Sequence, residues 1–263
     1  MAKNKGKFGK AKSQVEETDE FVSGMQRLGN KLKPHAMRIG LLIAGVAIAL
    51  IAYGIYSWYS ERKATAATAQ FVSAAELASG AIVEPDDDAT PEPSEEDVRP
   101  RFKSAKERAD ATLSALDALG SEYGATGVSK ESLLMRANTL LDLGSYDEAA
   151  ALYDEYAKSG NIAELKLVAR EGIGYALEEK ALATEDPKAR QSVLEEALAA
   201  FANVQPIEDG ARHDHALFHQ GRLLAVLDRK QEAKEMYEKV LALDDSVLKL
   251  EVENRLAELE ANK

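Results

Sequence analysis

An uncharged stretch of 22 residues, 39–60, constrains this chain more than any other feature, and it reads IGLLIAGVAIALIAYGIYSWYS. At about 1.5 Å rise per residue, a helix of that length crosses the hydrocarbon core of a bilayer, which is about 30 Å thick. Lys33 and Arg38 precede the stretch, and aromatic residues cluster towards its other end, around Trp58. Because basic residues favour the cytoplasmic side and aromatic rings the headgroup layer, the pattern predicts one transmembrane helix with a cytoplasmic N-terminus.

A cleaved signal peptide is the alternative interpretation, because Ala64, Thr65 and Ala66 offer small residues where a peptidase could cut. Signal peptides carry about 7–15 apolar residues after a short basic head. Here 38 residues precede an apolar run of 22. These lengths favour a retained anchor.

Composition and charge exclude several classes of function. Residues 1–38 carry nine basic and four acidic residues, a net charge of +5, whereas residues 39–263 carry 24 and 41, a net charge of −17. An acidic body of this size repels polyphosphate, so nucleic acid is not an expected partner. The chain has no cysteine, which excludes disulfides, thiolate metal sites and cysteine nucleophiles. The abundance of Ala, Leu, Glu and Lys predicts an all-α protein.

Composition also divides the chain into segments. We predict a basic cytoplasmic tail at 1–38, the transmembrane helix at 39–60, an Ala-rich helical stalk at 61–83, an acidic Pro-rich linker at 84–100 and a helical domain at 101–263. The linker reads EPDDDATPEPSEEDVRP, which holds too little apolar surface to order itself. It is interpreted as a disordered spacer or an exposed loop.

The helical domain contains an internal repeat, because residues 131–160 align with 215–245 without a gap. Small residues match small residues and rings match rings: Ala137 with Gly221, Ala149 with Ala233, and Tyr153 with Tyr237. A third copy between them supplies Gly172 and Tyr175 for its first helix and Ala197 and Phe201 for its second. It holds about a dozen residues more than the repeat period allows, which requires a longer loop or longer helices.

These residues resemble the tetratricopeptide repeat, a helix-turn-helix unit of about 34 residues. The predicted fold is therefore all-α: a single transmembrane helix followed by a tetratricopeptide-repeat-like α-solenoid of about three helix pairs. Helices at 101–119 and 247–259 are suited to closing the two ends of the stack.

The whole architecture resembles the YfgM-like family: a lysine-rich tail containing Asp19-Glu20-Phe21-Val22, one early span, an Ala-rich stalk, about three repeats and a terminal helix. Members are ancillary subunits of the SecYEG translocon in the inner membrane of Gram-negative bacteria. The resemblance implies a periplasmic interaction module that assists chaperones with newly exported proteins. It implies as partners the translocon, a membrane-anchored peptidyl-prolyl isomerase chaperone of the PpiD type, and unfolded client polypeptides. The alternative is a structural scaffold of envelope or cell-division machinery.

In stacked helix pairs the first helix of each pair lines the binding groove. Carrying the repeat register over, we expect the groove to be lined by Leu134, Asn138, Leu141, Asp142, Ile173, Ala176, Leu177, Phe218, Arg222 and Val226. This set is apolar with few charges, which suits partners of varied sequence.

Histidines supply the one candidate for metal chemistry, since His215 and His219 lie four residues apart, close to His213. Two histidines at this spacing can ligate one metal from a single helix face, but the glutamate beside the first histidine that a zinc protease needs is absent. No serine lies in a Gly-x-Ser-x-Gly context. We therefore predict a non-enzymatic protein without a cofactor or a metal site.

Overall fold

The computed structural model describes residues 23, 36–83, 99–207 and 210–261. In this part of the chain the helices and strands are α1 (Ala36–Ala78), β1 (Ala81–Ile82), β2 (Arg101–Phe102), α2 (Ala105–Tyr123), α3 (Gly127–Asp142), α4 (Tyr146–Ser159), α5 (Ala163–Ala183), α6 (Pro187–Ala202), α7 (His213–Val226), α8 (Lys230–Ala242) and α9 (Lys249–Ala261). The all-α prediction is confirmed. Most of the predicted tail, residues 1–38, lies outside the described residues.

Helix α1 contains the predicted span and continues through most of the predicted stalk as one helix of 43 residues. It is the helix among the described residues that is long and apolar enough to cross a membrane. Its large apolar side chains between Leu41 and Tyr59 are exposed. The chain divides into two units, residues 1–61 and 62–263, so α1 supplies part of each.

The stalk shares a core with the helix that follows it. Ala67 and Ala74 of α1 are fully buried and form one apolar cluster with Leu116 and Leu119 of α2. Small side chains on one helix let the larger leucines of the other approach closely. The structure therefore differs from the predicted division at residue 101, because the stalk is the first helix of the helical unit.

The two short strands pair with each other. Ala81 pairs with Arg101 and Ile82 with Phe102 in parallel orientation, and the amide of Val83 donates to the carbonyl oxygen of Phe102 at 2.8 Å. The Phe102 ring lies over Gly80, where a Cβ would come within 2.5 Å of a ring carbon. The described residues that flank the predicted linker are therefore hydrogen-bonded to each other. Residues 84–98, on which the prediction of disorder falls, lie outside the described residues.

Three helix pairs follow: α3 with α4, α5 with α6, and α7 with α8. In the second and third pairs a ring of the second helix packs against a glycine of the first, and in the first pair Ala137 and Tyr153 belong to one core cluster. A Cβ added at Gly221 would lie 2.6 Å from the ring of Tyr237, and one added at Gly174 would lie 2.6 Å from the ring of Phe201. Ala149 and Ala233, the predicted small residues of the second helices, are fully buried.

The extra residues of the middle pair lengthen its helices. Helices α5 and α6 have 21 and 16 residues, against 14 and 13 in α7 and α8, and only residues 184–186 connect them. Asp186 accepts a hydrogen bond from the amide of Ala189 at 2.7 Å, and Pro187 occupies the first turn of α6. A capping carboxylate followed by proline is a strong start signal for a helix. Of the two predicted possibilities, the structure has the longer helices.

Candidate protein-interaction surface

We call the surface formed by α3, α5 and α7 the first-helix face. On α5 the repeat alignment predicted from the sequence is wrong by two residues. The small residue that meets the ring of its own pair is Gly174, whereas Gly172 meets the ring of Tyr153 in the preceding pair. Residues of α5 on the first-helix face are accordingly displaced by two positions from those predicted.

Three predicted groove residues therefore lie elsewhere. Ile173 lines a cleft of about 380 Å³ whose other walls come mainly from the second helices α4 and α6. Ala176 is fully buried, and Leu177 packs against the core around Phe201. The prediction for this helix is corrected: Ile173, Ala176 and Leu177 face the second helices and the core.

The remaining predicted residues lie on α3 and α7. Leu134 and Leu141 are half-buried against the core, and Phe218 is half-buried against the last core cluster. Asn138 is exposed and accepts a hydrogen bond from the hydroxyl of Tyr153. Two more of the predicted residues are exposed: Asp142 on α3, and Val226 on α7, which is 57% exposed. Their role in binding stays a prediction.

Three side-chain contacts join α5 to α7, and we call them the polar ladder. They are Glu171 with Arg212, Tyr175 with His219, and Glu178 with Arg222. On α5 the three members follow one another at spacings of four and three residues, which places them on one stripe of the helix. The polar ladder therefore fixes α5 against α7 along the first-helix face.

The first contact is a buried ion pair. Glu171 is only 3% exposed, and both of its carboxylate oxygens accept hydrogen bonds from Arg212, with 2.6 Å between Nε and Oε1. This hydrogen bonding raises the pKa of Arg212. Arg212 has a φ of 65° at the residue that caps α7. A left-handed backbone is unusual for arginine, and here it accompanies the bidentate pair.

The middle contact buries a histidine among rings. His219 is 7% exposed, its ring stacks on Phe201 with centroids 4.7 Å apart, and its Nε2 lies 2.9 Å from the hydroxyl oxygen of Tyr175. Burial is the main reason that the pKa of His219 is lowered to about 3, and the charge of Arg222 contributes to that shift. His219 is therefore neutral at neutral pH.

The third contact is another bidentate ion pair. Arg222 donates to both carboxylate oxygens of Glu178, with 2.5 Å between Nη2 and Oε2. The side chains are 24% and 13% exposed, so solvent screens this pair less than a surface pair. Within the polar ladder each arginine faces one glutamate, which leaves this stretch of the face electrically neutral.

The histidines of the sequence pattern are engaged in protein contacts. His213 Nδ1 lies 2.9 Å from the carbonyl oxygen of Gln205, and the rings of His215 and His219 have centroids 6.5 Å apart. In the described part of the chain, no three side chains of His, Asp or Glu come together as a group that could hold a metal ion.

No protein-family model and no curated protein sequence matches this chain. Among solved structures, the chain is similar to a thermophilic tetratricopeptide-repeat protein of Thermus thermophilus, with 23% sequence identity and a TM-score of 0.42. The similarity covers 60% of this chain and 76% of that chain. The assignment of the helix pairs rests on the ring contacts at Gly174 and Gly221.

Proposed function

We propose that this chain is a non-enzymatic, membrane-anchored module whose first-helix face binds other polypeptides. The observation that supports this most is the polar ladder, which holds α5 and α7 together and leaves half-exposed apolar side chains beside a neutral stretch. A face that is rigid before binding loses little conformational entropy when a partner docks. Stacked helix pairs present such extended surfaces generally.

The anchor is the stretch 39–60 within α1. We propose that it crosses the inner membrane of a Gram-negative bacterium, with the tail in the cytoplasm and residues 62–263 in the periplasm. The excess of basic residues in 1–38 supports this orientation.

The proposed partners are the SecYEG translocon and a membrane-anchored isomerase chaperone of the PpiD type, with newly exported, unfolded chains as clients. The resemblance of the tail, span, stalk and repeats to the YfgM-like family supports this choice. A role in envelope or cell-division machinery is the competing outcome of the experiment below.

Photo-crosslinking in living cells tests the proposal. A photoreactive phenylalanine analogue is placed at Leu141 on the first-helix face, and a matched control at Ala199, an exposed residue of the second helix α6. We expect adducts with translocon subunits or the isomerase from Leu141 and few from Ala199. Adducts confined to division or cell-wall proteins would assign the module to that machinery. Equal adducts from both positions would contradict binding at the first-helix face.

A further inference from the structure

One turn beyond the polar ladder, each of the two helices carries an apolar residue. On α5, Leu182 follows Glu178 by four residues, and on α7, Val226 follows Arg222 by four. The ladder contacts advance along both helices in the same direction, so one further turn brings each helix to its next residue on the stripe. Leu182 and Val226 thus occupy the fourth position of the ladder, where the first three are polar.

This fourth position is open to solvent. Leu182 is 63% exposed and Val226 is 57% exposed, whereas the first ladder contact contains a carboxylate that is 3% exposed. Leu182 belongs to the added length of α5, which continues nine residues past Gly174, while α7 continues five past the equivalent Gly221. The lengthened helix therefore displays an apolar side chain at a place that the other first helices do not reach.

Three acidic residues lie near the C-terminal ends of the first helices α3 and α5. Asp142 and Glu179 occupy equivalent repeat positions on α3 and α5, Glu185 follows α5, and all three are exposed. None of the three forms an ion pair within residues 36–83, 99–207 and 210–261. Both ladder arginines are held by glutamates. The cation near Glu185 is Arg190 of α6, whose Nε donates to the carbonyl oxygen of Thr184 at 3.0 Å. The negative charge available to a partner is therefore that of Asp142 and Glu179.

We propose that Leu182 and Val226 form an anchor site for an amphipathic helical segment of a partner protein, one that carries an apolar side chain flanked by Lys or Arg. The apolar side chain would rest on Leu182 and Val226, and the flanking cations would face Glu179 and Asp142. Apolar contact gives affinity and complementary charge gives selectivity. This anchor site rests on the proposed function, because it specifies which polypeptides the first-helix face selects.

Binding of three synthetic peptides to the full-length chain in zwitterionic nanodiscs tests the anchor site. The peptides share one amphipathic design: a leucine anchor with lysine flanks, the same anchor with glutamate flanks, and a serine anchor with lysine flanks. Fluorescence anisotropy, corrected with empty nanodiscs, measures the affinities. We expect the leucine-lysine peptide to bind about tenfold or more tightly than either of the others. Equal affinities, or no binding of any peptide, would overturn the proposal.

Substitutions locate the binding on the molecule. Leu182→Asp is expected to weaken the leucine-lysine peptide about tenfold, and Glu179→Lys to shift the preference towards glutamate flanks. Leu250→Asp is the matched control, because Leu250 is 71% exposed on α9, and it should leave affinity unchanged. Circular dichroism checks that each variant is folded. Equal affinities of the Leu182 and Leu250 variants would reject the anchor site.

The two proposals fail in different ways. Translocon or isomerase adducts from Leu141, together with an unaffected Leu182→Asp variant, would reject the anchor site alone. Absence of any polypeptide adduct from Leu141 would reject the interaction function itself.

Discussion

Acidification should destabilise the helical unit through His219. Its ring is enclosed by Phe201 and Tyr175. Burial, and after it the charges of Arg222, His215 and Arg212, lower its pKa to about 3. The unfolded chain has an ordinary histidine pKa of about 6.5. Between these two values the unfolded state binds a proton that the folded state does not, so stability falls as the pH falls.

The size of the effect follows from the two pKa values. Proton linkage between pH 7 and pH 5 favours the unfolded state by about 2 kcal/mol, because nearly all unfolded and almost no folded chains are protonated at pH 5. This window lies above the ordinary pKa of most carboxylates, so His219 should dominate the change.

Urea unfolding of the full-length chain in non-ionic detergent, followed by circular dichroism at both pH values, measures the change. His219→Gln, which stays neutral, should remove most of the pH dependence of the unfolding free energy. A chain whose stability is the same at pH 7 and pH 5, or a His219→Gln variant that keeps the full dependence, would refute the reasoning.

Three further predictions concern packing and can be checked by the same urea unfolding at pH 7. Arg212→Ala leaves the buried carboxylate of Glu171 without a partner and should cost about 3–5 kcal/mol, whereas replacing both residues by leucine should restore most of the stability. Gly174→Ala should cost about 1–3 kcal/mol, because its Cβ would lie 2.6 Å from a ring, while Gly120→Ala, with nothing within 4 Å, should stabilise α2 by about 0.5–1 kcal/mol. Ala233→Leu should cost about 1–3 kcal/mol through overpacking, and unchanged stability would count against the repeat packing.

The first and last helix pairs could be predicted from the sequence because the small residue of the first helix and the ring of the second are the same distance apart along the chain in both pairs. Ala137 and Tyr153 are separated by the same number of residues as Gly221 and Tyr237; the first two belong to one core cluster, and the ring of Tyr237 lies against Gly221. In the middle pair the inserted residues remove this fixed separation. Two glycines are then equally acceptable as the small residue, and only tertiary contacts distinguish Gly174 from Gly172.

Other features depend on contacts between distant residues. The two paired strands have two residues each, too few for an alternating pattern to show in the sequence. Pairing of Glu171 with Arg212 joins residues 41 positions apart, and nothing local in the sequence selects that partner. The sequence did contain one indication of the polar ladder: Glu171, Tyr175 and Glu178 are spaced so that they lie on one side of α5.

Accessibility of engineered cysteines tests most directly the central claim that a stack of helix pairs is held across a membrane by α1. The chain has no cysteine of its own, so single cysteines can be placed at Ala151, exposed on α4, and at Ser13 in the tail. In intact spheroplasts a membrane-impermeant maleimide should label Ala151→Cys, and it should label Ser13→Cys only after permeabilisation. Labelling of both positions, or of Ser13→Cys alone, before permeabilisation would contradict the account.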